Sequence, residues 1–321
     1  MKKYIGCDLG GTNLRAAIVD VETGAVLQQM SVPTLAREGH DAVMKRMADL
    51  FLQLIQSTGM TKEDIGGIGI GAPGVLDLEK GETLFLPNLP GTWHRVPLQA
   101  TIEKLTDLPT RILNDVRSIT NGEWRFGAGY GVDTVAVFAI GTGVGGGLVI
   151  NDQLHLGIGG TGGELGHTTI DFNGPRCSCG NYGCLEAFAS GPTIASMGMK
   201  AVAQGMTTSL ADLCEYDLNR ITPELIANAA RSGDAIAKDI YEKAGYYIGI
   251  AAANVCVAVG PRRIIIAGGV SQAGELLLDP IRRTLRERVT VVPLEQVEVV
   301  RSQLGNNAGV IGAACWGAWR S

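Results

Sequence analysis

Short apolar runs that end in glycine open the chain, and longer amphipathic stretches follow. Residues 4–8 and 14–20 read as two strands joined by the tight turn at Gly10-Gly11, and residues 25–31 as a third strand after Glu22-Thr23-Gly24. Connections this short are hairpins, so the sheet is antiparallel where it begins. Residues 41–56 place Val43, Met47, Leu50 and Leu54 on one stripe of a helix. Residues 67–71 predict a buried strand, 98–106 a helix, 110–113 a strand and 116–124 a helix. The pattern then restarts. Strands at 134–140 and 147–150 flank a glycine-rich turn, and helices follow at 193–204, 223–230 and 234–256. A strand at 263–267, a helix at 276–287, a strand at 297–300 and a helix at 308–319 complete the pattern. Two sheet-containing halves, each opening strand, glycine turn, strand, predict a duplicated α/β architecture with a cleft between the halves. The boundary falls near residues 115–122 by pattern.

Composition narrows the function classes. Of 321 residues, 45% are hydrophobic and 18% charged, as in a globular protein and unlike a disordered one. A net charge of -5 and a pI near 5.5 leave no electrostatic footprint for nucleic acid. An anionic substrate would therefore need local dipoles and a metal. No apolar leader follows the first residues, and residues 244–260 are free of charge. That run is rich in Ala and Gly and carries Tyr246, Tyr247 and Asn254, which favours a buried helix over a membrane span. Seven cysteines without a secretion signal argue for a cytoplasmic location, and for metal ligands where cysteines cluster. The scattered Cys7, Cys214, Cys256 and Cys315 read as small core residues.

Four motifs carry candidate chemistry. In Asp8-Leu9-Gly10-Gly11-Thr12-Asn13 an acid ends a strand, and two glycines admit backbone N–H groups to an anion. Such a turn can cradle phosphates while Asp8 holds hydrated Mg²⁺, although the same residues also suit an ordinary hairpin turn. Gly141-Thr142-Gly143-Val144-Gly145-Gly146-Gly147 matches G-x-G-x-x-G, as do two other glycine clusters, and a strand rather than a helix follows it. The dinucleotide reading fails on that context, and a second phosphate hairpin with Thr142 as hydroxyl donor fits better. Asn114-Asp115 stands between a strand and a helix. Asp115 is there either a helix N-cap or a general base kept ionised by the helix terminus, with Asn114 orienting a sugar. Last, Glu164-Leu165-Gly166-His167 precedes Cys177-x-Cys179-x₄-Cys184-Leu185-Glu186. One His and three Cys saturate tetrahedral zinc, so the metal is structural. The flanking Glu164 and Glu186 are either solvent-exposed or aimed at sugar hydroxyls, and His167 can use one ring nitrogen for each partner. Gly268-Gly269 after the strand at 263–267 is either a turn or an approach to a nucleotide.

Together these residues resemble the ROK family (repressors, open reading frames and kinases) of the actin-like sugar-kinase superfamily, over the whole chain. The turn at Asp8–Asn13 is similar to the family's first phosphate motif, residues 140–147 to its second, and Ala267-Gly268-Gly269-Val270 to its adenosine-side turn. Gly71-Ala72-Pro73-Gly74 and Pro87-Asn88-Leu89-Pro90-Gly91 resemble its sugar-side loops. The His/Cys spacing matches its zinc-and-sugar signature. The resemblance implies a two-lobed, ribonuclease H-like duplicated fold, with a small lobe of 1–117 plus 304–321 and a large lobe of 118–303. It implies Asp115 as base, Mg²⁺–ATP as donor, a structural Zn²⁺ and a homodimer, with Gly71, Asn88, Asn114, Glu164, His167 and Glu186 as sugar contacts. Glucose is the expected acceptor, because two glutamates and an imidazole suit an unmodified pyranose. Fructose, mannose, allose, N-acetylglucosamine and N-acetylmannosamine are the alternatives, with polyphosphate an alternative donor. The family pattern has small residues after the catalytic Asp, whereas Val116, Arg117 and Ser118 follow here. A sugar-responsive repressor is the rival from another class. Its DNA-binding domain would have to precede a phosphate motif that already begins at Asp8, so no nucleic acid and no membrane are expected as partners.

Overall fold

A computed structural model describes residues 2–86 and 89–319. In chain order the elements are β1 (Lys3–Leu9), β2 (Asn13–Asp20), β3 (Ala25–Pro33), α1 (His40–Ser57), β4 (Ile65–Ala72), β5 (Val75–Asp77), β6 (Glu82–Phe85), α2 (Leu98–Thr106), β7 (Thr110–Asn114) and α3 (Asp115–Phe126). Then come β8 (Val135–Ile140), β9 (Val144–Ile150), β10 (Gln153–Leu154), α4 (Glu186–Ala189), α5 (Gly191–Ala203), α6 (Leu210–Leu213), α7 (Pro223–Arg231), α8 (Ala235–Ala258), β11 (Arg263–Ala267), α9 (Glu275–Arg288), β12 (Glu298–Arg301) and α10 (Ala308–Gly317). The chain divides into two compact units, residues 1–131 with 153–163 and 303–321, and residues 132–152 with 164–302. The expected division at 117/118 would cut α3, which the first unit keeps whole.

In the first unit the strand order is β3-β2-β1-β4-β7, antiparallel across β1–β2–β3 and parallel across β1–β4–β7. One face is covered by α1, whose Val43, Met47, Leu50 and Leu54 are fully or almost fully buried, in the stripe read from the sequence. The other face takes α10, which is apolar all round and buried along most of its length. Glycines let its backbone lie directly on its neighbours. A Cβ at Gly6 would fall 1.8 Å from Val310 O, one at Gly69 1.7 Å from Ala313 O, and one at Gly312 1.7 Å from Ser118 O of α3. The fully buried Glu123 carboxylate fixes the chain's entry to this helix, accepting the N–H groups of Gln303 at 3.1 Å and Leu304 at 2.9 Å.

The second unit repeats the plan. Strand β8 pairs antiparallel with β9 and parallel with β11, which pairs parallel with β12. Helix α8 lies on α9 at close range, because Gly245 and Gly249 face Pro280 and Thr284, whose side chains a Cβ would approach to 2.6 and 2.5 Å. This accounts for the uncharged run at 244–260. Among the described residues no helix is long and apolar enough to cross a membrane. Cys7, Cys214, Cys256 and Cys315 are buried core residues.

Candidate active site

Three adjacent parallel strands of the first unit carry candidate residues at or one residue before their C-termini. Asp8 at the end of β1 is in register with Gly71 of β4, and Ala72 with Asn114 of β7. Strand C-termini are where open α/β sheets bind ligands. Burial raises the Asp8 carboxyl above the usual range, with the nearby Arg15 opposing. A cation would relieve that cost, so the donor chemistry fits Mg²⁺. The hairpin beyond is closed by Gly10 N–H donating to Asn13 O at 3.0 Å. It is tied down by the Thr34 hydroxyl on Gly10 O at 2.6 Å. Gly11, Thr12 and Asn13 stand exposed at its tip. Thr34 carried no signal in the sequence, being one hydroxyl among many.

Of the two readings of Asn114-Asp115, the cap is Asn114. Its Oδ1 accepts the N–H of Val116 at 3.0 Å and of Arg117 at 3.2 Å. Asp115 is the first helical residue, and its Oδ1 also receives the Val116 N–H, at 2.9 Å. The carboxylate therefore sits on the positive end of α3 and is half-buried. Arg117 sits 1% exposed beneath it. Its Nη1 donates to Asn114 Oδ1 at 2.9 Å, while Nε and Nη2 donate to Gly162 O at 3.0 and 2.8 Å. Asn114 Nδ2 donates to Gly74 O at 3.0 Å, which fixes the amide's orientation. The departure at position 117 thus buries a guanidinium against the Asn114 side chain. Asn88 lies outside the described residues.

The second unit gathers the other candidates. The β8–β9 turn is closed by Gly141 N–H on Gly143 O at 2.9 Å, and Gly141 O accepts Gly191 N–H at 2.8 Å. The strand after the turn begins at Val144, earlier than the glycines of 145–147 suggested. Gly268, at φ +82°, packs against the end of β8, where a Cβ would lie 2.3 Å from Ile140 O. Gly141, Thr142, Gly269, Pro192 and Thr222 line one cavity of about 500 Å³, enough for a nucleotide.

Below that turn is the Cys/His knuckle. The donor atoms of His167, Cys177, Cys179 and Cys184 all lie within 4.8 Å of one another. Cys179 and Cys184 Sγ are 3.7 Å apart, and Cys177 Sγ is 3.8 Å from His167 Nδ1. Zinc–sulfur bonds of about 2.3 Å at tetrahedral angles separate sulfurs by about 3.8 Å, so the donor set fits zinc. Burial and the neighbouring thiols push Cys184 up to about 12, a cost that a bound dication removes. Gly183, at φ +71°, permits the tight return, since a Cβ there would meet Asp171 O at 1.7 Å. Glu186 opens α4 with Oε1 accepting the Ser178 hydroxyl at 3.1 Å and Oε2 accepting the Val144 N–H at 2.9 Å. Glu164 precedes the turn that presents His167.

The sequence profile of the ROK family matches residues 4–318. The chain is 37% identical over 315 residues to a glucokinase of Thermotoga maritima, covering 97% of this chain and 96% of that one. It is 32% identical to a xylose repressor of Caldicellulosiruptor bescii, covering 96% of this chain and 76% of the repressor. Among solved structures, a ROK family glucokinase from Streptomyces griseus in complex with glucose and AMPPNP is similar, with a TM-score of 0.84 at 33% identity. That match covers 98% of this chain and 99% of the other.

Proposed function

Because this chain belongs to the ROK family, we propose that it transfers the γ-phosphate of ATP to a hexose hydroxyl, with glucose as acceptor and glucose 6-phosphate as product. The observation that carries the reading is Asp115. It is a carboxylate at the first position of α3, directly after the capping Asn114, at the edge where Asp8 and Gly71 stand one residue before the ends of β1 and β4. A helix N-terminus favours the ionised form, so Asp115 is ready to take the proton of a hydroxyl as that oxygen attacks phosphorus. Gly71, Asn88, Asn114, Asp115, Glu164, His167 and Glu186 hold the sugar. Gly10, Gly11, Thr12, Asn13, Gly141, Thr142 and Gly143 hold the phosphates, and Gly268 and Gly269 the adenosine. Asp8 holds Mg²⁺, which when bound neutralises charge on the β- and γ-phosphate oxygens. Zinc at His167, Cys177, Cys179 and Cys184 shapes the loop between Glu164 and Glu186. A homodimer, a cytoplasmic location and a place in glycolysis belong to the same reading.

A coupled ADP-release assay with Mg²⁺–ATP, run on hexoses and N-acetylhexosamines, tests it. Glucose should give the highest kcat/KM. Asp115→Asn should lower kcat by about two to four orders of magnitude with glucose binding nearly unchanged. Near-normal turnover by Asp115→Asn removes the base assignment. Sugar binding without turnover of any acceptor makes the protein a sensor.

A further inference from the structure

Glu186 joins two features that the site description treats separately. One oxygen of its carboxylate accepts the Val144 N–H at 2.9 Å, immediately after the β8–β9 turn. The other accepts the hydroxyl of Ser178 at 3.1 Å, the residue between knuckle cysteines 177 and 179, and lies 3.7 Å from Cys177 Sγ. The approach is close: a Cβ on Gly143 would fall 2.4 Å from Oε2, so a larger residue there would push the carboxylate away from the Val144 N–H. The turn has two further anchors. Gly141 N–H bonds to Gly143 O at 2.9 Å within it, and Gly191 N–H at the start of α5 bonds to Gly141 O at 2.8 Å. The Glu186 anchor leads to the knuckle, as does the packing of Gly166, beside ligand His167, on Val144 O, where a Cβ would lie 1.7 Å away. Gly141 and Thr142 of this turn line the cavity of about 500 Å³ that also receives Gly269.

We propose that Glu186 is a positioning residue through which the Cys/His knuckle holds the nucleotide-phosphate turn, so that a divalent metal in the knuckle sets the affinity for nucleotide. The proposal rests on the kinase reading above and adds a route from metal to donor substrate. Its chemistry is a chain of short links. Four ligands fix residues 177–179, Ser178 fixes one carboxylate oxygen, and the rigid carboxylate transmits that position to the Val144 N–H. With the ligands released, Ser178 moves with the loop, and the turn loses its side-chain anchor while keeping its two backbone anchors and the β8–β9 ladder. Phosphate-binding backbone must be held before the ligand arrives, or ordering it costs affinity.

The test is calorimetric binding of Mg²⁺ with a non-hydrolysable ATP analogue, measured beside glucose binding and thermal unfolding. It compares the zinc-loaded protein, the chelated protein and the variants Ser178→Ala, Glu186→Ala and Glu186→Gln. Chelation and Glu186→Ala should each weaken nucleotide binding by about tenfold or more, and Ser178→Ala by about threefold to tenfold. Glu186→Gln, whose amide oxygen can accept the Val144 N–H while its NH₂ meets Ser178, should stay within about threefold of wild type. If chelation lowers the melting temperature while nucleotide affinity stays within twofold in Ser178→Ala and Glu186→Ala, the knuckle is structural alone and the proposal is overturned. If the wild-type protein binds no nucleotide, this proposal falls together with the kinase reading. Nucleotide binding that is indifferent to the knuckle overturns this proposal only.

Discussion

The same substitution should have opposite signs at two glycines of α10. At Gly312 an added Cβ falls 1.7 Å from Ser118 O and 2.6 Å from Gly122 N, both backbone atoms of α3. Carbon and oxygen in contact stand about 3.3 Å apart, so the helices must separate by about 1.5 Å. Neither backbone can swing aside as a side chain would, and the displacement spreads to β1 and β4 through Gly6 and Gly69. Gly312→Ala should therefore cost at or above the ~3 kcal/mol end of ordinary overpacking. At Gly309 the nearest atoms to an added Cβ are Asp8 Cγ at 3.7 Å and Asp8 Oδ2 and Ile119 Cγ1 at 3.8 Å, ordinary contacts. Gly309→Ala should gain about 0.5 kcal/mol by reducing the freedom of the unfolded chain. All 4 tryptophans, Trp93, Trp124, Trp316 and Trp319, belong to the first unit, so their fluorescence reports its unfolding in urea separately from the second. Midpoints for the two variants that shift together within about 1 kcal/mol would refute the close-contact reasoning.

Three further outcomes are expected. Arg117→Met keeps the buried stem but strips the guanidinium bonds to Gly162 O and Asn114 Oδ1, and should destabilise the first unit by about 2–4 kcal/mol. Arg117→Lys should recover only part of that, because one ammonium cannot span both acceptors; equal stability of Lys and wild type counts against the fork. Burial pushes the Asp234 carboxyl up, but the Ala237 N–H and the Ser209 and Thr208 hydroxyls outweigh it and pull it down to about 2. A depressed folded pKa stabilises above the unfolded value and is lost as pH falls toward the folded one. Asp234→Ala should thus cost about 1–2 kcal/mol at pH 7, discounted for exposure, with the gap to wild type narrowing below about pH 4 in urea titrations; a pH-independent gap contradicts the assignment. Metal analysis should find one zinc per chain, and chelation should lower the melting temperature by about 10 °C, reversed by added zinc; an unchanged melt excludes a structural metal.

Much of this was legible because short-range rules dominate it. The helix at 98–106 and the strand at 263–267 follow from apolar spacing and punctuating residues, and both have the expected bounds. The Cys/His cluster follows from spacing because its donors are close in the chain. What escaped depends on distant packing. The hairpin of β5 and β6 is too short for a periodic signal. The start of β9 hides among glycines, which carry no strand signal, and its Val144 O is met by Gly166, where a Cβ would lie 1.7 Å away. Arg117 reads as a surface cation until Gly162, far along the chain, supplies its acceptor. Nothing in the sequence marks Glu123, whose buried carboxylate accepts from Ala128 and from the returning residues 303–304.

The threading of α10 into the first unit also fixes an order of events during synthesis. Residues 303–319 leave the ribosome after the second unit has been made in full. Until then the sheet bearing Asp8 lacks the helix that covers its glycine strip at Gly6 and Gly69. The first unit therefore cannot close its core until residues 303–319 have been made. A chain lacking residues 303–319 would carry the turns at Asp8–Asn13 and Gly141–Gly143 and Asp115 as well, yet no finished core to hold the first of them.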